Sequence, residues 1–371
     1  MRRRAVLICL DGCSPDYIRQ STVPNIRRLA SEGYSTLSGL AMVPTVTNVN
    51  NVSLITGVYP QEHGITSNCY YDRGRGEEVY MESPSSITAP TIFEELARRG
   101  GKTSALLSAK DKLCSLLNKG PETVFSAENP PDWIVKEIGK PPSIYSIDVN
   151  PWLLKALRVV LEKNDPDFIY VGTTDYVGHK YAPEEDEAQR HMALVDEEIG
   201  LLSESLGDSL LCISADHGML AKTRAVNLRV ALEMAGTKSR VIPTVKDKYV
   251  VHHSNLSGSA YVYLIGQNPD KDVLSIFADI EGVERALTAE EAAGEYHLPV
   301  CRLGDYLVLG DKYTVFGEAS EEVVSDVTIR SHGSLNEREV PMIVHGGDQE
   351  ATGPVENKDM ARVVLDYLSQ G

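Results

Sequence analysis

Long apolar runs are missing from this 371-residue sequence, and no stretch approaches the ~18 residues that a membrane-spanning helix needs. Cysteine is scarce and scattered. The six residues Cys9, Cys13, Cys69, Cys114, Cys212 and Cys301 form no C-x-x-C pair, which predicts no disulfide framework and a reducing, cytoplasmic compartment. Positive charge is also short, with 36 Lys plus Arg against 53 Asp plus Glu and a formal net charge of -17. No local basic patch offsets it, so DNA, RNA and anionic membrane surfaces are excluded as partners. What is present suffices for a large core: 42% of residues are hydrophobic and 24% charged. At about 150 residues per domain, the length suits two or three units, or one large domain with an insertion. The N-terminal Met1-Arg2-Arg3-Arg4 has the look of a signal peptide's charged front, but the apolar run behind it, Ala5 to Leu10, stops at Asp11-Gly12 and reads as a buried strand.

Short apolar runs alternate with helical patterns, which predicts an α/β fold: a mostly parallel central sheet with helices on both faces. The predicted strands are 5–10, 103–108, 168–173, 209–214 and 341–345. Helix signals fall between them. Thr22 and Pro24 open a helix that Gly33 closes; Pro90-Thr91 opens one that Gly100 closes; Ala182-Pro183 leads into an acidic helix over 184–206, and the last helix covers 357–369. The stretch 223–326 has two helix candidates and several short strands separated by polar turns. It reads as a smaller α+β cap inserted into a core made of 1–222 and 327–371, with the chain returning to the sheet near Val327.

The chemically informative residues sit where predicted strands end, which is where open α/β sheets collect ligands. Asp11 follows the first strand. Asp175 follows the strand over 168–173, with His179 four positions later. Asp216-His217-Gly218 follows the strand over 209–214, and His332 stands before the strand over 341–345. Each element alone has a bland reading: Asp-Gly is a common turn, and Asp175 with His179 suits a solvated helix start. Together they would set three carboxylates at one sheet edge, where their mutual repulsion is relieved by a dication. Asp and His ligands without thiolate suit zinc or manganese, and six ligands suffice for two ions with a position open on each. His191, His252, His253, His297 and His345 read as surface or core residues; His63, in Glu62-His63-Gly64-Ile65, reads as a supporting residue behind the site.

Between Asp11 and the later ligands, Pro44 disfavours helix before it, while Val49, Val52, Leu54 and Ile55 suit a short helix ended by Gly57. This places Thr47 near a helix N-terminus, where free N–H groups and the dipole favour an alkoxide or a bound phosphoryl oxygen. Metal coordination would lower the hydroxyl pKa and aim the oxygen. The competing expectation is that Thr47 only caps the helix.

Taken in this order, Asp11, Pro44-Thr45-Val46-Thr47, Thr56-Gly57-Val58-Tyr59-Pro60, His63-Gly64-Ile65, Asp175 with His179, Asp216-His217-Gly218 and His332-Gly333 resemble the alkaline phosphatase superfamily. Within it the chain is most similar to the branch of nucleotide pyrophosphatase/phosphodiesterases and phosphonoacetate hydrolases. The resemblance implies two divalent ions, zinc above others. One would be held by Asp175, His179 and His332, the other by Asp11, Asp216 and His217, with Thr47 as the metal-bound nucleophile. It also implies that Asn68 hydrogen-bonds a non-bridging phosphoryl oxygen.

Two features point to the substrate. The position after Thr47 is Asn48, where nucleotide diesterases place an aromatic for base stacking, and aromatics are only 6% of the chain. The segment Thr47-Asn48-Val49-Asn50-Asn51 resembles that of phosphonoacetate hydrolases, as does Ser108-Ala109-Lys110-Asp111-Lys112-Leu113, implying that Lys110 and Lys112 hold a substrate carboxylate. Lysines at i, i+2 share no helix face, so both reach one ligand only if the chain is extended or turning there. The implied reaction is hydrolysis of the carbon–phosphorus bond of phosphonoacetate to acetate and phosphate through a phosphothreonine. The alternatives are phosphodiester, nucleotide pyrophosphate or phosphomonoester hydrolysis at the same site. A phosphoryl-transfer mutase is disfavoured by Thr47 and the short insertion, and a non-catalytic binding protein by the complete ligand set. The expected partner is a small anionic phosphonate or phosphate ester; a homodimer is left open.

Overall fold

The computed structural model describes residues 3–248, 254–266, 272–347 and 353–370. His252 and His253 lie outside the described residues. A seven-stranded sheet forms the core, in the order Tyr34–Leu40, Glu339–His345, Leu210–Ser214, Ala5–Cys9, Phe168–Gly172, Ser104–Ser108 and Thr123–Ser126. The five strands from Leu210–Ser214 to Thr123–Ser126 run parallel, and Glu339–His345 is antiparallel to both its neighbours.

Helices cover both faces, as the alternation predicts. Val6 and Ile8 of the first strand pack toward the helices Pro24–Glu32, Val149–Asn164 and Asp186–Leu206. Ala5, Leu7 and Cys9 pack on the other face toward Thr47–Thr56, Ile92–Gly100, Asp111–Leu117 and Met360–Ser369. Four of the five predicted strands appear with one end moved by one residue, and the fifth starts at Glu339. The sheet's two outermost strands carry weak apolar signals. Tyr34–Leu40 has one buried residue in seven, and Thr123–Ser126 is only four residues long.

One connection differs from expectation. The segment Val324–Ser331 does not rejoin the central sheet near Val327; it pairs antiparallel with Leu220–Val226, which also holds Thr314–Phe316 in a three-stranded sheet. The chain re-enters the central sheet only at Glu339. Beyond this stem lies a four-stranded antiparallel sheet, Ser239–Pro243, Ser259–Leu264, Tyr306–Gly310 and Val283–Thr288, with three helices among the described residues of 223–326. No helix among the described residues is long and apolar enough to cross a membrane.

Candidate two-metal active site

Parallel register brings the ligand set together. Cys9 is level with Gly172 on one side and with Ser214 on the other, so these three strands end side by side. Asp11, Asp175 and Asp216 follow within three residues of those ends and meet at one rim. The stem strands supply the remaining partner: Ser331 pairs with Leu220, which delivers His332 beside His217. Their rings stack with centroids 3.6 Å apart and planes 7° from parallel.

All three site imidazoles are oriented by backbone carbonyls. His217 Nδ1 lies 2.9 Å from the Gly218 carbonyl, His332 Nδ1 2.8 Å from that of Thr45 and His179 Nδ1 2.7 Å from that of Arg330. A carbonyl can only accept, so each Nδ1 donates, which leaves Nε2 as the ring nitrogen that faces the carboxylates and that a metal would take. His179 Nε2 is 3.0 Å from Asp175 Oδ2. Two acceptors at that separation need a cation or proton between them.

The carboxylates are satisfied unequally. Asp216 accepts from the Gly12 amide (3.1 Å), the His217 amide (3.0 Å) and Asn51 Nδ2 (3.0 Å). Asp175 is held by Lys110 Nζ at 2.9 Å and by His179. Asp11 is buried and neither of its oxygens has a hydrogen-bond partner, although His217 Nε2 approaches to 3.5 Å. Burial, then Asp175 and Asp216, push its carboxyl well above the usual range, with Lys110 opposing. A buried carboxylate without donors is costly unless a cation lies against it. The donor set therefore fits divalent metal ions. Two compact groups have their ligand atoms within 4.8 Å of one another: Asp11 with Asp216 and His217, and Asp175 with His217 and His332. The first is the group the resemblance implied. In the second His217 stands where His179 was expected, because the two stacked rings bring His217 close to both groups.

Thr47 is the first residue of the helix Thr47–Thr56, which ends at Gly57 in the left-handed conformation that glycine adopts without strain. Val46 occupies the capping position and no side chain caps the helix. The capping expectation for Thr47 is thus not what the structure shows: its hydroxyl lies 3.3 Å from His217 Nε2. The helix is enclosed from Asn48 to Ile55, and its buried polar side chains are all bonded. Asn48 donates to the Met81 carbonyl, Asn50 exchanges bonds with Met42, Asn51 accepts from the Tyr170 hydroxyl, and Ser53 bonds to Val49. His63 supports this helix from behind. Its Nδ1 accepts from the Ile65 amide (3.1 Å) and its Nε2 meets Ser53 Oγ (2.9 Å), so it touches none of the candidate ligands. Burial lowers its pKa from 6.5 to about 3.

A cleft opens over this rim, lined by Asp11, Thr47, Asn68, Lys110, Asp175 and His332 among others. Asn68 donates through Nδ2 to the Val245 carbonyl at 3.2 Å, which leaves one amide N–H available, while its Oδ1 has no partner. Lys110 precedes the helix Asp111–Leu117 in extended conformation, and Lys112 lies inside that helix. This turn lets both lysines line the cleft. Burial disfavours charge on Lys110, but Asp175 and Asp11 outweigh it and hold its pKa above the ordinary value. Lys112 is paired with Asp247, and burial moves its pKa below the ordinary value.

Asp247, Glu128 and Tyr145 also line the cleft and carried no signal in the sequence. Asp247 sits in a polar turn of the inserted segment, and only folding brings it to Lys112. Of the remaining histidines, His191 is buried against the Ile147 carbonyl, His345 is near Glu32 and His297 is exposed.

The sequence matches the family model described as type I phosphodiesterase / nucleotide pyrophosphatase over residues 5–335. A venom phosphodiesterase of Macrovipera lebetinus is 29% identical over 227 residues, an alignment covering 58% of this chain and 25% of that protein. The chain thus matches about a quarter of the length of such relatives. The crystal structure of phosphonoacetate hydrolase from Sinorhizobium meliloti 1021 in complex with phosphonoformate superposes with a TM-score of 0.88 at 32% identity, covering 99% of this chain and 96% of that one. The same enzyme is also known in complex with phosphonoacetate. Murine ectonucleotide pyrophosphatase/phosphodiesterase 5 shares the fold at 15% identity and a TM-score of 0.73, with 99% and 95% of the two chains covered.

Proposed function

The chain belongs to the type I phosphodiesterase / nucleotide pyrophosphatase family within the alkaline phosphatase superfamily, and from that premise we propose that this phosphoryl hydrolase cleaves the carbon–phosphorus bond of phosphonoacetate. The observation that carries the reading is the shared cleft: Thr47 opens its helix on one side, and Lys110 and Lys112 line the same space. Asn48, committed to the Met81 carbonyl, offers no platform for a base at the position after the nucleophile.

Asp11, Asp216 and His217, and Asp175, His179 and His332, would hold two divalent ions, zinc in the first instance. When bound, these would supply Lewis-acid activation of the Thr47 hydroxyl and of water, and neutralise phosphoryl charge. The chain's own residues do the rest. Thr47 gives up its hydroxyl proton to solvent and its Oγ attacks phosphorus in line, forming an O–P bond as the P–C bond breaks. The electron pair passes to the carbon, where the adjacent carboxylate spreads it into an enolate beside Lys110 and Lys112; solvent then protonates it to acetate. The free N–H groups of the helix N-terminus and the remaining Asn68 N–H donate to phosphoryl oxygens. Water then cleaves the phosphothreonine, releasing phosphate and restoring Thr47.

Tyr145 favours a second reading. It lines the cleft and packs edge-on to Tyr176 with centroids 5.9 Å apart, an aromatic wall that suits an aryl or nucleotide ester. Paired assays separate the two. Phosphate release from phosphonoacetate should exceed turnover of an aryl phosphodiester, both requiring zinc; preference for the diester would replace the first reading with the second.

A further inference from the structure

Behind the stacked imidazoles lies an ion pair with no part in the chemistry above. Lys222 Nζ meets Glu337 Oε1 at 2.7 Å, and both side chains are wholly enclosed, at 0% exposure. Taking two charges out of water costs several kcal/mol per ion, and apolar replacement of such pairs is often neutral or stabilising, so stability alone is a weak reason for its presence.

Its connections supply a better one. Glu337 Oε2 accepts from the Ser334 amide and hydroxyl, each at 2.8 Å, and the Glu337 carbonyl accepts from the Gly218 amide at 2.7 Å. Two chains of bonds lead from there to the site. On one side, the Gly218 carbonyl holds His217 Nδ1. On the other, the Ser334 carbonyl accepts from Thr45 Oγ1 at 2.8 Å, Thr45 Oγ1 accepts from the Gly333 amide at 3.0 Å, and the Thr45 carbonyl holds His332 Nδ1. One residue therefore anchors the supports of both rings, and Lys222 neutralises its charge.

We propose that Lys222 and Glu337 are positioning residues that fix the orientations of His217 and His332 and thereby the affinity of the site for its metal ions. The inference rests on the two-metal reading and concerns residues that no ligand assignment includes. Partners that orient metal-binding histidines typically contribute about 10–100-fold in metal affinity.

The test uses full-length protein and zinc affinity measured by competition with a chromogenic chelator. The double variant Lys222→Met/Glu337→Leu removes both charges at similar volume. Its unfolding temperature should stay near that of wild type while zinc affinity falls about 10–100-fold. The cobalt-loaded variant should also show an altered visible absorption band, which a purely structural role would leave unchanged. Wild-type zinc affinity and an unchanged cobalt spectrum in a folded double variant would overturn the proposal. Should the double variant fail to fold, Glu337→Gln carries the same test, with weakened zinc binding expected and undiminished binding decisive against. A wild-type protein that bound neither metal would sink the two-metal reading itself, and the role of the pair with it.

Discussion

The two halves of the site hold their carboxylates by different means. Around Asp216 the partners are neutral N–H donors fixed in the fold: two backbone amides and the Asn51 side chain. Around Asp175 they include a lysine and a histidine, the lysine being a cation of the protein's own. Amide donors would remain in place when a metal arrives and keep the carboxylate oriented toward it. On the proposed reading, Lys110 would instead compete with a metal for Asp175 and, once displaced from it, would become available to an anionic substrate in the same cleft. On that reading one half would be preorganised for metal, while the other would couple metal loading to substrate capture.

The largest test removes the Thr47 hydroxyl, the proposed nucleophile. Thr47→Ala should reduce kcat for phosphate release by about 10³-fold or more, as expected for loss of a nucleophile, while zinc binding persists. Substantial residual turnover would mean the halves activate something else, such as a water. Lys110→Met sharpens the comparison directly. The KM for phosphonoacetate should rise about 10–100-fold, the worth of a charge-assisted hydrogen bond, while zinc is retained more tightly because Asp175 loses its competitor. Weaker zinc retention would break the proposed asymmetry.

A third prediction separates the site from the packing that carries it. His63 stays neutral in the fold with a pKa near 3, whereas the unfolded chain takes up a proton below 6.5. Its contribution to stability is therefore complete above pH 6.5 and is lost as pH falls toward 3. At pH 5 the loss is about 2 kcal/mol, read as a lower urea midpoint than at pH 7, and His63→Gln should flatten that dependence. An equal slope in the variant would assign acid sensitivity to other groups. The smallest effect belongs to the inserted segment. Asp247→Asn should free Lys112 and lower the KM for phosphonoacetate a few-fold, about 1 kcal/mol or less, leaving an aryl diester unaffected. A change shared by both substrates would remove Asp247 from carboxylate recognition.

Legibility in the sequence followed local signal strength. Asp11, Asp175 and Asp216 could be found because each follows a run of five buried apolar or small residues that only a central strand explains. Thr47 could be found because Pro44 and Gly57 bracket a short helix. The outer strand Tyr34–Leu40 was missed because its residues are mostly half-exposed and polar. Lys222 and Glu337 gave no warning, since isolated charges read as surface wherever they stand.

Chain order and residue type alone determined the α/β layering and pointed to the candidate nucleophile and the candidate ligands, because hydrophobic periodicity and strand-end chemistry are local properties. Only the tertiary structure decided which ligands cluster, that His217 stands between both groups, that Asp175 is met by Lys110 and Lys112 by Asp247, and that Glu337 braces two imidazoles from behind. Those outcomes depend on parallel register and on the antiparallel stem of Leu220–Val226 and Val324–Ser331, which join residues about a hundred or more positions apart. No spacing along the chain encodes contacts of that range.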